Sequence, residues 1–190
     1  MLEFIDRKAA FEAKTMPYID SLFRTAAWML SDKDDAEDLV RQTYVRAYNF
    51  WDKFHKIADC RTYLFKTMIN IFAKKFQAEP ALQTWTNSDK VAGHNHWNQL
   101  QNREILFDPV EATISKINSA DVRKILMDLP DDFKLVIVLS WLEGFSYREI
   151  GLIAGIRLEI VKSRQYEGCQ LLKEKIYEHS IVENQPISVI

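Results

Sequence analysis

Glycine and proline are scarce in this chain, five of each among 190 residues. A turn-rich β fold needs far more of both, so the shortage favours helices. Cysteine is scarcer still: Cys60 and Cys169 stand alone, too few for a zinc centre or a disulfide framework. Reduced thiols of a cytoplasmic protein are the expectation. No window approaches the roughly 20 apolar residues of a membrane span, so no membrane insertion is expected. The stretch Met1–Arg7 has no basic-then-apolar signal pattern. Charge of one sign is also missing. The net charge of −2 excludes a protein that coats nucleic acid indiscriminately, and any such contact must come from local patches. There is no glycine-rich phosphate loop, nucleophile elbow or nucleophile–base pair. His94 and His96 lack carboxylate or cysteine partners at ligand spacing. No catalytic residue, metal site or cofactor is expected.

What is present is helical periodicity, backed by 47% apolar residues. Ile19, Leu22, Phe23, Ala26 and Leu30 form one stripe. Ala36, Leu39, Val40, Thr43, Tyr44, Ala47, Tyr48 and Trp51 form a more regular one, in steps of three and four. A third helix spans about Thr62 to Phe76. Its Leu64, Phe65, Met68, Ile69, Ile71 and Phe72 lie nearly all round it, which places it at the centre of a bundle. From Gln77 to about Asp108 the periodicity stops and Asn, Gln, Pro80 and Gly93 take over, marking a linker that also holds Trp85, Trp97 and Phe107. A second helical block starts near Val110. Pro130-Asp131-Asp132 opens a helix with Phe133, Val136, Ile137 and Trp141 on its buried face, and Gly144 closes it. The expected fold is all-α: two small helical domains joined by a flexible linker, with residues 1–79 in the first, 80–109 as linker, 110–180 in the second and 181–190 as a tail.

The segment Ser146–Arg164 carries the most information. Ser146 can cap a helix with Glu149 as its reciprocal partner. Ile150, Ile153 and Ala154 follow at helical spacing, and Gly155 stands where a turn needs a positive φ. Ile160 and Val161 restart an apolar face beside Lys162, Ser163 and Arg164. This is the layout of a helix-turn-helix, whose second helix enters the DNA major groove. A tail helix with Leu171, Leu172 and Ile176 is expected after it.

Charge is distributed unevenly. Between Lys53 and Phe76, six basic residues (Lys53, Lys56, Arg61, Lys66, Lys74, Lys75) face Asp59 alone, interleaved with Phe54, Tyr63, Phe65, Phe72 and Phe76. Cations beside aromatic faces suit single-stranded nucleic acid, where each stacked base contributes roughly 1–3 kcal/mol. The alternative is a solvated basic face over an aromatic core. Upstream, Asp32, Asp34, Asp35, Glu37 and Asp38 crowd a helix start, where anions offset the helix dipole.

In this order the motifs resemble the extracytoplasmic-function (ECF) sigma factors of bacterial RNA polymerase. Asp35–Tyr48 is similar to the family's region two, which docks on the clamp helices of the polymerase β′ subunit. Thr62–Asn70 is similar to the helix that reads the opened minus-ten element, and Leu129–Phe133, Leu142–Ile150 and Val161–Arg164 are similar to region four. The resemblance implies a promoter-specificity factor without an active site, acting in the cytoplasm. Its implied partners are core polymerase through the β′ and β subunits, promoter DNA as duplex and as melted non-template strand, and an anti-sigma factor. It implies polymerase contacts at Asp35, Asp38, Leu39, Gln42 and Thr43. It implies minus-ten contacts at Arg46, Phe54, His55, Lys56, Arg61, Lys66 and Asn70, with the loop from His55 to Asp59 capturing a flipped base. Minus-thirty-five contacts are implied at Lys162 and Arg164, and the neighbouring Ser146, Arg157 and Ser163 are expected to join them.

The chain departs from the family pattern at Arg41, Arg157, Glu159, Ile160, Glu167 and Gly168. Glu159 and Glu167 would repel phosphates on a DNA-facing surface. The competing reading is a helix-turn-helix regulator that works without polymerase. The basic-aromatic helix discriminates, since such a regulator has no melted strand to hold.

Overall fold

The second apolar stripe becomes a 17-residue helix because both its start and its inward face are specified. Asp32 caps it, its carboxylate accepting from the backbone N–H groups of Asp34 at 2.8 Å and Asp35 at 3.0 Å. The computed structural model describes residues 2–54, 59–75 and 119–182, and among these no strand occurs. In chain order the helices are α1 (Leu2–Thr15), a single 3-10 turn (Met16–Tyr18), α2 (Ile19–Met29), α3 (Lys33–Asn49), α4 (Trp51–Phe54) and α5 (Cys60–Lys75). After the undescribed residues come α6 (Ser119–Met127), α7 (Asp131–Ile137), α8 (Tyr147–Ala154) and α9 (Leu158–Val182). The expected linker, with Trp85, His94, His96, Trp97 and Phe107, lies outside the described residues.

α5 is the centre of the first unit. Leu64, Phe65, Met68, Ile69, Ile71 and Phe72 are all buried, because α3 covers one side of the helix and α8 another. A helix apolar nearly all round requires such double cover. Leu22 and Ala26 from α2 and Ala36, Leu39, Val40 and Ala47 from α3 complete this core, each removing apolar surface from water at about 25 cal/mol per Å². Phe11 of α1 packs edge-on against Tyr48 and Trp51 at 5.2 and 5.3 Å between centroids.

The same apolar cluster does not stop at the first unit. It continues into Leu135, Val136 and Leu139 of the α7 segment, Phe145, Ile150 and Ile153 around α8, and Val161 of α9. A second cluster joins Val122, Ile125, Leu126 and Leu129 to Ile137, Cys169, Leu172 and Ile176, with Trp28 of α2 packed against it. Two helical units are present as expected, and α2 and α5 pack directly on the second one.

Three local features set the second unit. Pro130 precedes α7, whose first turn holds Asp131 and Asp132. α7 then widens into a π turn over Val138–Leu142, and the Glu143 N–H returns to the Val138 carbonyl at 3.3 Å. Gly144, at φ +67°, redirects the chain. The expected tail helix is not separate: α9 runs unbroken for 25 residues from Leu158. Gly168 does not interrupt it. Instead it lets α7 approach, since a Cβ there would meet Ile137 Cδ1 at 3.0 Å and Phe133 Cβ at 3.1 Å.

Candidate nucleic-acid interface

The helix-turn-helix forms as its residue types dictate. Ser146 and Glu149 make a reciprocal capping box: the Glu149 N–H donates to Ser146 Oγ at 3.3 Å, and the Ser146 N–H donates to Glu149 Oε2 at 2.7 Å. Gly155 takes the left-handed conformation at φ +69° and ψ +28°. The Arg157 carbonyl then accepts from Ile160 and Val161 at 3.0 and 3.1 Å, starting α9. Val161 is fully buried, so the opposite face of α9 is presented outward. Lys162 and Ser163 are exposed on it, and so are Glu159 and Glu167, with exposed Arg157 just ahead of the helix.

Arg164 requires a correction. Its guanidinium pairs with Asp132 of α7 at 3.4 Å, and only 15% of its side chain is exposed. Burial lowers its pKa, opposed by the nearby Asp132 and Glu167 carboxylates. It braces α9 against α7 and does not point into a groove. Two other expected contacts are partly committed. The Ser146 hydroxyl donates to Glu149 Oε2 at 2.6 Å, and that of Ser163 donates to Glu167.

In the first unit, α5 presents Lys66 outward and Asn70 half-buried, and Arg46 is exposed on α3. Phe65 and Phe72 are core residues at 0% and 3% exposure, not a stacking platform, which corrects that part of the basic-aromatic reading. Phe54 ends α4; His55 and Lys56 lie outside the described residues. Asp59 caps the start of α5, accepting from the Thr62 N–H at 3.1 Å.

Two expected polymerase contacts are likewise interior. Leu39 and Thr43 are both 0% exposed, and the Thr43 hydroxyl donates to the Leu39 carbonyl at 2.8 Å. They stabilise the bundle and present nothing to a partner in this conformation. Asp35, Asp38 and Gln42 do come together at the surface. Asp38 accepts from Lys75 of α5 at 2.5 Å, from Gln42 at 2.6 Å and from Arg41. Lys75 and Arg41 hold its pKa down at about 2. Next to this cluster an open groove of about 660 Å³ runs between α2 and α3, lined by Met16, Ile19, Phe23, Val40, Tyr44 and Val45 among others. Burial pushes the Tyr44 hydroxyl up to about 12, and the hydroxyl donates to the Thr15 carbonyl at 2.8 Å. A smaller groove of about 390 Å³ brings Gln42 and Arg46 together with Arg41 and Ile71.

Arg61 is the unexpected case. Its Nη2 lies 3.2 Å from Glu143 Oε2 and also donates to the Glu143 carbonyl. Arg24 reaches Glu143 Oε1 through Nε at 3.1 Å and Nη2 at 3.0 Å, and the Ser21 hydroxyl donates to Oε2. Glu143 is 1% exposed at its side chain. Sequence reasoning missed it. The available signal was a lone acid closing the run Leu135–Leu142, which is apolar apart from Ser140.

Two family models match the chain in this order: Sigma-70 region 2 over residues 16–80, and Sigma-70, region 4 over residues 125–174. Together they take in more than half of the chain. The chain is 26% identical to the ECF RNA polymerase sigma factor SigW of Bacillus subtilis, over 84% of each protein. It is 28% identical to SigE of Mycolicibacterium smegmatis, over 86% of this chain and 60% of that one. It is 24% identical to the sigma-E factor of Escherichia coli K12, over 75% and 74%. Among solved structures it resembles the sigma factor RpoE of Bartonella quintana, crystallised with the anti-sigma factor NepR. That match has a TM-score of 0.63 at 23% identity, covering 88% of this chain and 96% of the other. This likeness concerns the fold.

Proposed function

The chain belongs to the ECF group of the sigma-70 family, and from that premise we propose how its two regions divide the work of promoter-specific transcription initiation. The observation that carries the reading is the ordered match of regions 2 and 4, with a fully formed helix-turn-helix in the second. As a sigma factor it directs RNA polymerase to promoters, and the phosphodiester chemistry belongs to the polymerase. Its place of action is therefore the cytoplasm; among the described residues no helix is long and apolar enough to cross a membrane.

Residues 1–79 serve as the region-two unit. Polymerase docking uses the exposed face of α3 and the adjoining groove, where Glu37, Arg41, Gln42 and Val45 are accessible beside Asp35 and Asp38. Val45 is 53% exposed and Met16 45%, the kind of apolar area that a partner covers. Arg46, Arg61, Lys66 and Asn70 meet the melted minus-ten strand. Residues 110–180 serve as the region-four unit, where Arg157, Lys162 and Ser163 meet the minus-thirty-five duplex. An anti-sigma partner fits this reading, as does release by a stress signal.

The test is reconstitution. Core polymerase with this chain should form a complex and give run-off transcripts from members of a promoter library. Absence of both complex and transcript would overturn the reading. Duplex binding without polymerase binding would favour the polymerase-independent regulator.

A further inference from the structure

The outward face of α9 is short of positive charge for a helix placed against DNA. Glu159, Lys162, Ser163 and Tyr166 are all exposed, at spacing i, i+3, i+4 and i+7, while Val161 and Gln165 point inward at 0% and 7% exposure. Glu167, at the edge of that face, has its carboxylate engaged by the Ser163 hydroxyl. Glu159 is different. It stands in the first turn of α9, close in sequence to both Arg157 and Lys162, and forms an ion pair with neither.

An acid in a first turn offsets the helix dipole, and that role requires no partner. The helix-turn-helix gives Glu159 a second setting, because the N-terminal residues of the second helix are those that meet base edges in the major groove. There an ionised carboxylate can only accept. Phosphate oxygens also accept and carry the same charge, so Glu159 gains nothing from the DNA backbone. Among the base edges of that groove, the cytosine N4 and adenine N6 amines are the donors. Adenine sets its N7 acceptor beside the amine, which opposes a carboxylate, whereas cytosine has no acceptor there.

We propose that Glu159 selects cytosine in the minus-thirty-five duplex, its carboxylate accepting from the N4 amine. Arg157 and Lys162 hold flanking phosphates, so the cations position the helix and the acid specifies the base. Repulsion from phosphate then serves selectivity: a register that turns Glu159 toward the backbone is penalised, and one that turns it toward cytosine is not. The proposal rests on the reading of α9 as the minus-thirty-five helix and adds the base it reads.

The test uses the holoenzyme formed from core polymerase and the full chain. It is bound to promoter duplexes randomised across the upstream element, and the bound fraction is sequenced. The parent should favour cytosine at one position by at least about fivefold. Glu159→Gln should shift that position toward adenine, because an amide both donates and accepts and so matches N7 and N6. Glu159→Ala should leave the position without preference. Both variants change an exposed site, and retained helical circular dichroism verifies their fold. Uniformly tighter binding by Glu159→Gln with unchanged base preference overturns the proposal in favour of plain phosphate repulsion. A lowered thermal midpoint with unchanged preference overturns it in favour of the helix dipole alone. A parent holoenzyme that forms but enriches no upstream sequence overturns the reading of α9 itself, which neither of those two outcomes touches.

Discussion

Arg164 of α9 stands 3.4 Å from the carboxylate of Asp132 on α7, with 15% and 18% of the two side chains exposed. A pair this enclosed acts on stability before it acts on DNA, because removing one member strands the other. Such truncations cost on the order of 3–5 kcal/mol when burial is complete, and less here. Arg164→Ala and Asp132→Ala should therefore both lower the thermal midpoint. Lys162→Ala should leave the midpoint unchanged and reduce the salt dependence of duplex binding by about one counterion. Thermal melts and binding titrations over a salt series separate the two roles. Loss of duplex affinity in Arg164→Ala with no change in the midpoint would contradict the bracing role.

Ser146 and Gly155 fix the first helix of the helix-turn-helix, α8, from its two ends. An alanine at φ +69° pays the left-handed penalty, so Gly155→Ala should cost about 1–2 kcal/mol. Ser146→Ala removes the cap and should cost about 1 kcal/mol. Urea unfolding measures both, and the double variant shows whether they add across the short α8.

Acid should loosen the α3–α5 contact through Asp38. Its folded pKa is depressed, so the stabilisation is complete above the ordinary carboxylate value of 3.8. It is lost as the pH falls from there through about 2. Removing Lys75, the largest cause of the shift, should move the midpoint upward. Carboxyl carbon NMR on Lys75→Ala should show Asp38 titrating nearer 3.8, and an unmoved midpoint would contradict the assignment.

Asn70, half-buried on α5, is one of the residues proposed to meet the melted strand and not the duplex. Asn70→Ala should weaken promoter opening, followed by permanganate footprinting, more than it weakens closed-complex binding. Equal losses in the two assays would remove it from strand recognition.

Much of this was legible in residue order. The capping box, the positive-φ glycines and the Pro130 helix start are local chemistry, and each formed where the residue types stood. The periodicity that placed Leu39 and Thr43 on an apolar stripe also placed them in the core. The family pattern assigned them to a partner, and here the stripe decides because α2 and α5 cover that face. Phe65 and Phe72 follow the same logic. Arg164 and Glu143 were not legible, because nothing local distinguishes a cation facing DNA from one facing a carboxylate on another helix. Their partners are fixed by tertiary packing, with Arg61 82 residues away from Glu143.

The unbroken α9 has a mechanical consequence. At about 1.5 Å per residue its 25 residues form a rod roughly 37 Å long. One end is seated through Val161 in the core shared with region two, and the far part through Leu172 and Ile176 in the core around α6. A rod held at two points transmits rotation rather than absorbing it. Any body that grips its distal turns would set the angle of its first turns, on which the proposed duplex contacts Lys162 and Ser163 ride.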